Sequence, residues 1–384
     1  MVELDELFAG LSRRPDIEAP DLVAVDAADR LVLDVAGPAL DAALPGTVVV
    51  IDDRHGALTL GAAVAHGANG IRVHQDELTG ELALARNAAR VGLAGCYRRH
   101  SLDAALLDGA GLVLLRFPRS LAQLTEIAEV IARYARPDVT VVAGGRDKYL
   151  TPAMNEVLAR SFRSVQPTRG RQKSRVVVAA GTRPSAVLHY PAEADLPELG
   201  LRVVSHGAVF GGSRLDRGTR FLLNHLDRMA PDAGESVDLG CGSGILAAAL
   251  ALDRPGLKVV ATDQSAAAVA SAVATTAANG LGGQVCVRRD DAMSEFPDAA
   301  ADLIVCNPPF HVQAAVHTGT ARKMFRAAGR VLRPGGELWT VYNGHLRYRD
   351  LLWRSVGPTD VIARSSKFVV TRSVRNHAGN PPNA

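Results

Sequence analysis

The stretch Asp238-Leu239-Gly240-Cys241-Gly242-Ser243-Gly244 joins a short apolar run to a helical segment. Its alternate glycines let the backbone turn through conformations that a Cβ disfavours, and they let a ligand approach the bare main chain. The next apolar run ends in Asp263, where a carboxylate can hold both ribose hydroxyls of a nucleoside. A glycine loop followed by an acid after the second strand therefore predicts a nucleoside-binding α/β domain.

The glycine spacing separates two classes of nucleoside cofactor. Dinucleotide folds favour G-x-G-x-x-G, in which a helix N-terminus receives a pyrophosphate. Here the loop is G-x-G-x-G and Asp238 precedes it. An acid suits the ammonium group of methionine and would repel a pyrophosphate. Asp291, after the third strand, can accept from an adenine amino group, or it can instead cap the turn ahead of Ala292-Met293. The loop predicts S-adenosylmethionine as the cofactor.

A second motif, Asn307-Pro308-Pro309-Phe310, follows the fourth strand, at the sheet edge where open α/β folds bind ligands. The prolines remove backbone donors, so the carbonyl of Pro308 can accept a hydrogen bond. This carbonyl and the Asn307 side-chain oxygen can hold both hydrogens of a planar amino group while a methyl group arrives in line. Phe310 offers a face on which an extruded base can stack. The motif predicts methylation of a planar nitrogen by Asn307, Pro308 and Phe310.

These motifs define the predicted site. We expect the cofactor to be bound by Asp238, Gly240, Gly242, Gly244, Asp263, Gln264, Asp291, Ala292 and Asn307. His311 either contacts the substrate or hydrogen-bonds the turn. The histidines are dispersed and none pairs with a cysteine at ligand spacing, so we expect no metal.

Strands and helices alternate along the second half of the chain. We predict strands at 236–239, 258–262, 284–288, 302–306 and 337–342, and helices at 245–252, 265–279 and 321–332. This order predicts a parallel, doubly wound, Rossmann-like α/β sheet of the class I methyltransferase type.

The first half of the chain repeats this plan about 188–191 residues earlier, which indicates a duplication. Its strand at Val48–Ile51 leads into Asp52-Asp53-Arg54-His55-Gly56, so two of the three loop glycines are missing. Arg116-Phe117-Pro118 stands where the Asn-Pro-Pro motif would be. We therefore predict two tandem methyltransferase-like domains. The first, at 1–185, is degenerate, binds no cofactor and recruits RNA. The second, at 200–376, is catalytic. A connector lies around Thr182–Leu199, and 377–384 is a disordered tail.

The charge distribution favours a nucleic-acid partner. Residues 301–384 contain twelve Lys/Arg against four Asp/Glu, although the net charge of the chain is only +3. A second basic tract spans Arg160–Arg175 without an acidic residue. Such surpluses are what phosphate-backbone binding requires, although a solvated basic face is the alternative.

No long apolar run is present at the start of the chain or elsewhere, so we expect neither a secretory signal nor a membrane span. The four cysteines include no C-x-x-C pair, which is typical of free thiols in the cytoplasm. We expect a cytoplasmic monomer.

The chain resembles the bacterial ribosomal RNA guanine-N2 methyltransferases, a family with small-subunit (RsmC) and large-subunit (RlmG) branches. The resemblance is carried by the loop at 238–244, Asp263, Asn279-Gly280, the motif at 307–311 and Pro334–Leu338. It continues upstream through Gly207–Phe210 and Leu215–Arg220, a segment that in the family helps to close over the cofactor. Leu115–Leu121 and Ala143–Arg146 look more like the large-subunit branch.

The resemblance implies that Asp263 and Asp291 hold the nucleoside and that Asn307, Pro308 and Phe310 position guanine N2 in ribosomal RNA, 16S or 23S. It also implies a degenerate first domain that aids RNA binding. From the residues alone, adenine N6 and a protein glutamine amide stay open as substrates, because related motifs serve both. A non-catalytic RNA-binding assembly factor is the alternative from another class.

Overall fold

The computed structural model describes residues 3–20, 22–183, 187–309 and 314–376, with backbone only for 314–318. The chain divides into two compact units between Tyr190 and Pro191. Phe310, His311 and the tail at 377–384 lie outside the described residues. Across the described part, no helix is both long and apolar enough to cross a membrane.

The first unit is one sheet with helices on both faces. Its strand order is β3-β2-β1-β4-β5-β7-β6. The strands are β1 (Val48–Ile51), β2 (Ile71–His74), β3 (Tyr97–Arg99), β4 (Leu112–Arg116), β5 (Thr140–Arg146), β6 (Phe162–Pro167) and β7 (Ser174–Thr182). The helices are α1 (Leu4–Gly10), α2 (Ala27–Asp41), α3 (Ala57–His66), α4 (Leu78–Arg90), α5 (Ala104–Leu107), α6 (Leu121–Tyr134) and α7 (Pro152–Ser161).

The second unit repeats this sheet as β12-β11-β10-β13-β14-β16-β15 and adds a hairpin of β8 and β9. The strands are β8 (Ala192–Leu196), β9 (Leu201–Ser205), β10 (Glu235–Leu239), β11 (Lys258–Asp263), β12 (Val285–Arg289), β13 (Ala301–Cys306), β14 (Leu332–Asn343), β15 (Thr359–Arg364) and β16 (Phe368–Val374). The helices are α8 (Arg217–Leu223), α9 (Ile245–Asp253), α10 (Ala266–Ala278), α11 (Ala314–Val331) and α12 (Arg349–Ser355).

The prediction of two tandem doubly wound α/β domains is confirmed, but the prediction of a parallel sheet is wrong. Each sheet is mixed, because β7 runs antiparallel to β5 and to β6, and β16 runs antiparallel to β14 and to β15. Antiparallel neighbours need only a short connection and no crossover helix. The alternation of strand and helix, which guided the prediction, therefore stops between the last two strands of each sheet, which follow one another without a helix.

The predicted element positions agree with the structure to within one or two residues over most of the second unit. Ser265 caps α10 by accepting from the Ala268 backbone N–H at 3.0 Å, and its neighbour Gln264 lies outside the helix. The largest difference is α11, which begins at Ala314 rather than at residue 321.

The core of the second unit lies on both faces of its sheet. Helix α9 is buried along nearly its whole length, from Ile245 to Ala251. Strand β13 alternates between the two faces: Leu303 and Val305 pack with α9, and Ile304 and Cys306 pack with α11 and α12. This packing fixes the direction in which the backbone continues from Cys306 to Asn307.

The predicted connector at Thr182–Leu199 is partly ordered as strand β8, so the prediction of a connector over that whole range is wrong. Strand β8 pairs with β9, and β9 is held against α10 by Thr275, whose Oγ1 accepts from the Val204 backbone N–H at 3.0 Å. Apolar residues such as Leu196 and Leu201 join the core of the second unit. Burial of these side chains gives the segment its structure.

Candidate active site at the carboxyl edge of the second sheet

The loop after β10 has a backbone that requires its glycines. Gly240, Gly242 and Gly244 have φ angles of 78°, 53° and 79°, in the left-handed region. A Cβ on Gly244 would lie 3.0 Å from the Cβ of Ala272, and one on Gly240 would lie 3.2 Å from the Met324 methyl. The loop therefore presents bare backbone at the carboxyl end of the central strand.

Asp238 lies beneath this loop and is fully buried. Its Oδ2 accepts from the Ala247 backbone N–H in the first turn of α9 at 2.9 Å. Its Oδ1 is buried without a hydrogen-bond partner among the described residues. Burial raises the pKa of Asp238 to about 7, and the charge of Asp263 adds to this effect. A buried carboxylate oxygen without a donor fits a ligand that brings its own cationic donor.

Asp263 ends β11 and turns back toward the loop. Its Oδ2 accepts from the Gly242 backbone N–H at 3.1 Å, and its Oδ1 accepts from the Ser265 backbone N–H at 3.0 Å. The carboxylate is therefore fixed between the glycine loop and the start of α10. The predicted contact with the ribose hydroxyls stays a prediction.

Two neighbouring acids after β12 have different roles. Asp290 is buried and caps the following turn, since its Oδ1 accepts from the Ser294 backbone N–H at 2.9 Å. Asp291 forms an ion pair with Lys323 of α11. The turn-capping alternative considered for Asp291 thus belongs to Asp290. The adenine contact predicted for Asp291 and for Ala292, whose φ is 53°, stays a prediction.

The side chain of Asn307 is held by the N-terminus of α8. Its Nδ2 donates to Oδ2 of Asp216 at 3.2 Å and to Oγ1 of Thr219 at 3.0 Å. Asp216 is the N-cap of α8, and its Oδ2 also accepts from the Gly218 and Thr219 backbone N–H groups at 2.8 and 3.1 Å. One capping carboxylate therefore organises both the helix end and the amide of Asn307.

This arrangement fixes which way the Asn307 amide faces. A carboxylate only accepts hydrogen bonds, so the atom facing Asp216 must be the amide nitrogen. The amide oxygen then points away, and it is buried without a partner among the described residues. The site thus presents one oriented, unsatisfied acceptor at the end of β13.

Gly218 makes this contact possible. A Cβ at this position would lie 2.9 Å from Oδ2 of Asp216 and 3.6 Å from Nδ2 of Asn307. The family resemblance includes Leu215–Arg220, but the sequence predicts no contact of Asp216 or Thr219 with Asn307. Asp216 followed by a helical segment is an N-cap signal that the sequence does carry. Its contact with a residue 91 positions away is visible only in the folded chain.

Other predicted features are only partly described. Pro308 is buried and Pro309 is exposed. Phe310 and His311 lie outside the described residues, so the stacking face and the role of His311 stay predictions. Within the described ranges, no group of three or more His, Cys, Asp or Glu residues is placed to hold a metal ion. The four cysteines are free thiols, as predicted.

The basic tract at Arg160–Arg175 is on the surface of the first unit, where all six of its cations are exposed. Two of them are paired: Arg171 with Asp34, and Arg175 with Asp147 at 3.5 Å. The tract turns through Gln172 and Lys173, whose φ angles of 51° and 58° place both side chains at the tip of a β6–β7 hairpin. This tip retains uncompensated positive charge.

Comparison with known proteins covers the whole chain. The model of the methyltransferase small domain matches residues 200–372, and that of the RLMG N-terminal domain matches residues 2–183. A ribosomal RNA large subunit methyltransferase G of Streptomyces coelicolor is 36% identical over 382 residues, covering 95% of this chain and 97% of the relative. The corresponding protein of Stutzerimonas stutzeri is 34% identical and covers 97% and 99%.

Among solved structures, a T. thermophilus 16S rRNA N2 methyltransferase (RsmC), in complex with AdoMet and guanosine, matches with a TM-score of 0.72. It is 22% identical, and the match covers 91% of this chain and 92% of that one. This likeness concerns the fold, including the tandem arrangement of two similar domains. The identity with curated relatives over nearly the whole length is the stronger finding. The chain belongs to the family of ribosomal RNA large subunit methyltransferase G, an S-adenosylmethionine-dependent class of rRNA methyltransferases.

Proposed function

We propose that this protein transfers the methyl group of S-adenosylmethionine to the exocyclic N2 of one guanosine in large-subunit ribosomal RNA. The observation that carries the proposal is the oriented amide of Asn307. Its nitrogen is held by Asp216 and Thr219, and its buried oxygen is left to accept. An acceptor fixed before the substrate arrives costs no reorganisation during the reaction.

The planar nitrogen of guanine is a poor nucleophile because its lone pair is delocalised into the ring. When the Asn307 oxygen accepts one of its hydrogens, positive charge can develop on nitrogen as the nitrogen–carbon bond forms and the carbon–sulfur bond breaks. The surplus N2 proton would then be released to water. The carboxylate of Asp216, on the far side of the amide, favours the polarisation that places negative charge on that oxygen. The carbonyl of Pro308 is the proposed acceptor for the second hydrogen.

The residues of the glycine loop fit the proposed cofactor. When bound, S-adenosylmethionine supplies an electrophilic methyl group on a sulfonium. The unpartnered Oδ1 of Asp238 suits its ammonium, the loop backbone admits its chain, and Asp263 suits its ribose. Asp291 and Ala292 lie after the next strand and would hold the adenine, with Gln264 beside the ribose.

The RNA partner is supported by charge as well as by family. The exposed hairpin tip of the first unit carries Lys173 and Arg169, and helix α11 presents the exposed Arg322 and Arg326. A target within RNA requires an extruded base, for which Phe310 is the proposed stacking partner. We propose that the protein acts as a monomer in the cytoplasm, where ribosomal subunits are assembled.

The test is transfer of labelled methyl from S-adenosylmethionine to rRNA isolated from cells that lack this protein, followed by nucleoside analysis. We expect label in N2-methylguanosine of the large-subunit RNA and a single mapped position. Label in N6-methyladenosine would favour adenine as the substrate. Retained RNA binding without any transfer would favour an assembly factor and refute the proposal.

A further inference from the structure

A second amide lies at the carboxyl end of β14, the strand next to β13. Asn343 is the last residue of β14 and is only 7% exposed. Its Oδ1 is buried without a hydrogen-bond partner among the described residues. A buried acceptor left unsatisfied destabilises the folded chain, so its retention calls for a ligand.

The alternation of β14 places Asn343 on the same face of the sheet as Asn307. Trp339 and Val341 pack into the core on the α9 side, whereas Leu338 and Tyr342 pack on the opposite side. Asn343 lies on the same side as Trp339 and Val341, because side chains two residues apart along a strand share a face. On β13, Val305 belongs to that same α9 side, and so does Asn307, which contacts α8.

Register and a shared neighbour place the two amides close together. Cys306 pairs with Thr340 across β13 and β14, so Asn343 lies two residues beyond the position opposite Asn307. Asn343 pairs with Phe368 of β16. The same Phe368 ring lies 3.4 Å from where a Cβ on Gly218 would be, and Asn307 Nδ2 lies 3.6 Å from that point. Phe368 thus connects the surroundings of both amides.

The strand that carries Asn343 also lies away from the cofactor loop. All the predicted cofactor ligands except Asn307 lie at or after the ends of β10, β11 and β12, whereas β14 is on the other side of β13. A ligand of Asn343 is therefore the group that receives the methyl rather than the cofactor.

We propose that the Asn343 oxygen accepts from the N1–H of the target guanine and thereby selects guanine over purines without that hydrogen. This inference rests on the proposed function. Guanine carries N1–H directly beside its N2 amine, so two adjacent acceptors match two adjacent donors. In adenine, N1 is itself an acceptor beside the amine. Its lone pair would repel the lone pairs of the Asn343 oxygen. The amide group also offers a donor beside its acceptor, which complements guanine O6.

The test uses 2,6-diaminopurine, which keeps the 2-amino group but has an acceptor at N1. Large-subunit rRNA is assembled by splinted ligation so that the mapped target nucleotide carries either guanine or 2,6-diaminopurine. Methyl transfer is measured as kcat/KM for each RNA with the wild-type chain and with Asn343→Leu. We expect the wild type to prefer guanine by roughly ten- to a hundredfold, the range of one buried hydrogen bond.

In Asn343→Leu we expect this preference to fall to within about threefold of unity, because the guanine rate drops while the diaminopurine rate does not. A ratio of two substrates does not depend on the fraction of folded enzyme, so partial misfolding does not obscure the result. Asn343→Ser, which is smaller and keeps a hydroxyl acceptor, is expected to retain part of the preference.

Asn279→Leu is the matched control. Its amide holds β9 to α10 by donating to the Arg202 carbonyl at 2.7 Å, remote from the substrate strands. We expect it to lower both rates equally. A wild type without preference, or a preference unchanged in Asn343→Leu, would overturn the inference while leaving guanine methylation intact. Absence of any transfer to the guanine RNA would instead refute the proposed function.

Discussion

The glycine loop of the second unit and its counterpart in the first unit share one backbone shape but not one set of residues. The counterparts of Gly240, Gly242 and Gly244 lie 188 positions earlier, and their φ angles are 59° at Asp52, 64° at Arg54 and 101° at Gly56. Left-handed φ costs a residue with a Cβ roughly 1–2 kcal/mol. The first unit has therefore kept the loop conformation after losing two of the glycines that allow it without backbone strain.

The contact that holds Asn307 is also repeated in the first unit. Asp26 caps α2 as Asp216 caps α8, and Asp29 occupies the third helical position, as Thr219 does in α8. The side chain that these two acids hold is Arg116, whose Nη2 donates to Asp26 at 2.5 Å and whose Nη1 donates to Asp29. Arg116 ends β4, the counterpart of β13.

The two units therefore share the scaffold of this site but differ in the side chain that it holds. An amide held through its nitrogen presents an oxygen to a substrate amine. A guanidinium has donors only. Here the carboxylates of Asp26 and Asp29 both accept from Arg116 and neutralise its charge. At the next strand, Arg146 ends β5 where Asn343 ends β14. The first unit thus has arginines where the second has its two proposed acceptors.

The largest effect is expected from importing the residue of the first unit into the second. Asn307→Arg and Asn307→Ala should each reduce methyl transfer at least ~100-fold, the usual cost of losing a preorganised polar group in an active site. Cofactor affinity should stay nearly unchanged. Transfer to rRNA and cofactor binding by calorimetry check both parts. If cofactor binding collapses while the rate per bound complex stays normal, the role assigned to Asn307 is wrong.

The next effect concerns the residues that hold Asn307. Thr219→Val should lower kcat roughly tenfold, because the amide loses one of its two anchors and misplacement of a reacting group is costly. Asp216→Ala should lower kcat further and also cost about 1 kcal/mol of stability through the lost N-cap. In both variants we expect little change in the KM for the cofactor.

Thr275→Val serves as the matched control for Thr219→Val. Thr275 is also buried and its Oγ1 holds the Val204 backbone of β9. This control should lose stability without a comparable loss of kcat. Equal losses of kcat in the two valine variants would mean that Thr219 acts through stability alone.

The buried acids at the two loops, Asp238 and Asp53, make the free energy of unfolding depend on pH. Burial raises the pKa of Asp238 to about 7 and that of Asp53 to about 6. Between the ordinary Asp value and these pKa values the folded chain holds more protons than the unfolded chain, so the free energy of unfolding falls as pH rises from about 4 to about 7. Asp53 accepts two backbone N–H bonds, at Leu58 and Thr59, whereas Asp238 accepts one.

An ammonium beside Asp238 would lower its pKa, so cofactor binding between pH 6 and pH 7, just below the pKa of about 7, should release protons. Calorimetry in two buffers of different ionisation enthalpy measures this release. Asp238→Asn should abolish it, and Asp53→Asn should leave it unchanged. Identical proton release in the wild type and Asp238→Asn would contradict a contact between Asp238 and the ammonium.

The smallest effect is expected in the first loop. Arg54→Gly should raise the free energy of unfolding by up to about 1 kcal/mol, because relief of the left-handed strain outweighs the entropy that glycine gains in the unfolded chain. It should confer no cofactor binding on the first unit. Thermal unfolding with and without S-adenosylmethionine measures both. A destabilised variant would show that the Arg54 side chain contributes contacts worth more than the strain.

Much of the fold was predictable because it depends on local patterns. The run into Asp238–Gly244, the cap at Ser265 and the strand before Asn307 are each specified by residues adjacent in sequence, and the structure has them at those positions. Strands β15 and β16, which form a local hairpin, were not predicted, and only the pairing of β16 with β14 joins more distant segments. Strand β8, which pairs with the nearby β9, was missed because its proline-containing surroundings resembled a linker.

The sequence by itself determined which chemical groups exist: three loop glycines, the acids after successive strands and an Asn-Pro-Pro segment. It also determined that one copy of the duplication lacks two of these glycines and the Asn-Pro-Pro segment. Only the tertiary structure decided the orientation of those groups. Asp216 reaches Asn307 across 91 residues, and that contact fixes which way the amide oxygen faces. Side-chain orientation depends on partners brought together by sheet packing, and no local pattern encodes the identity of those partners.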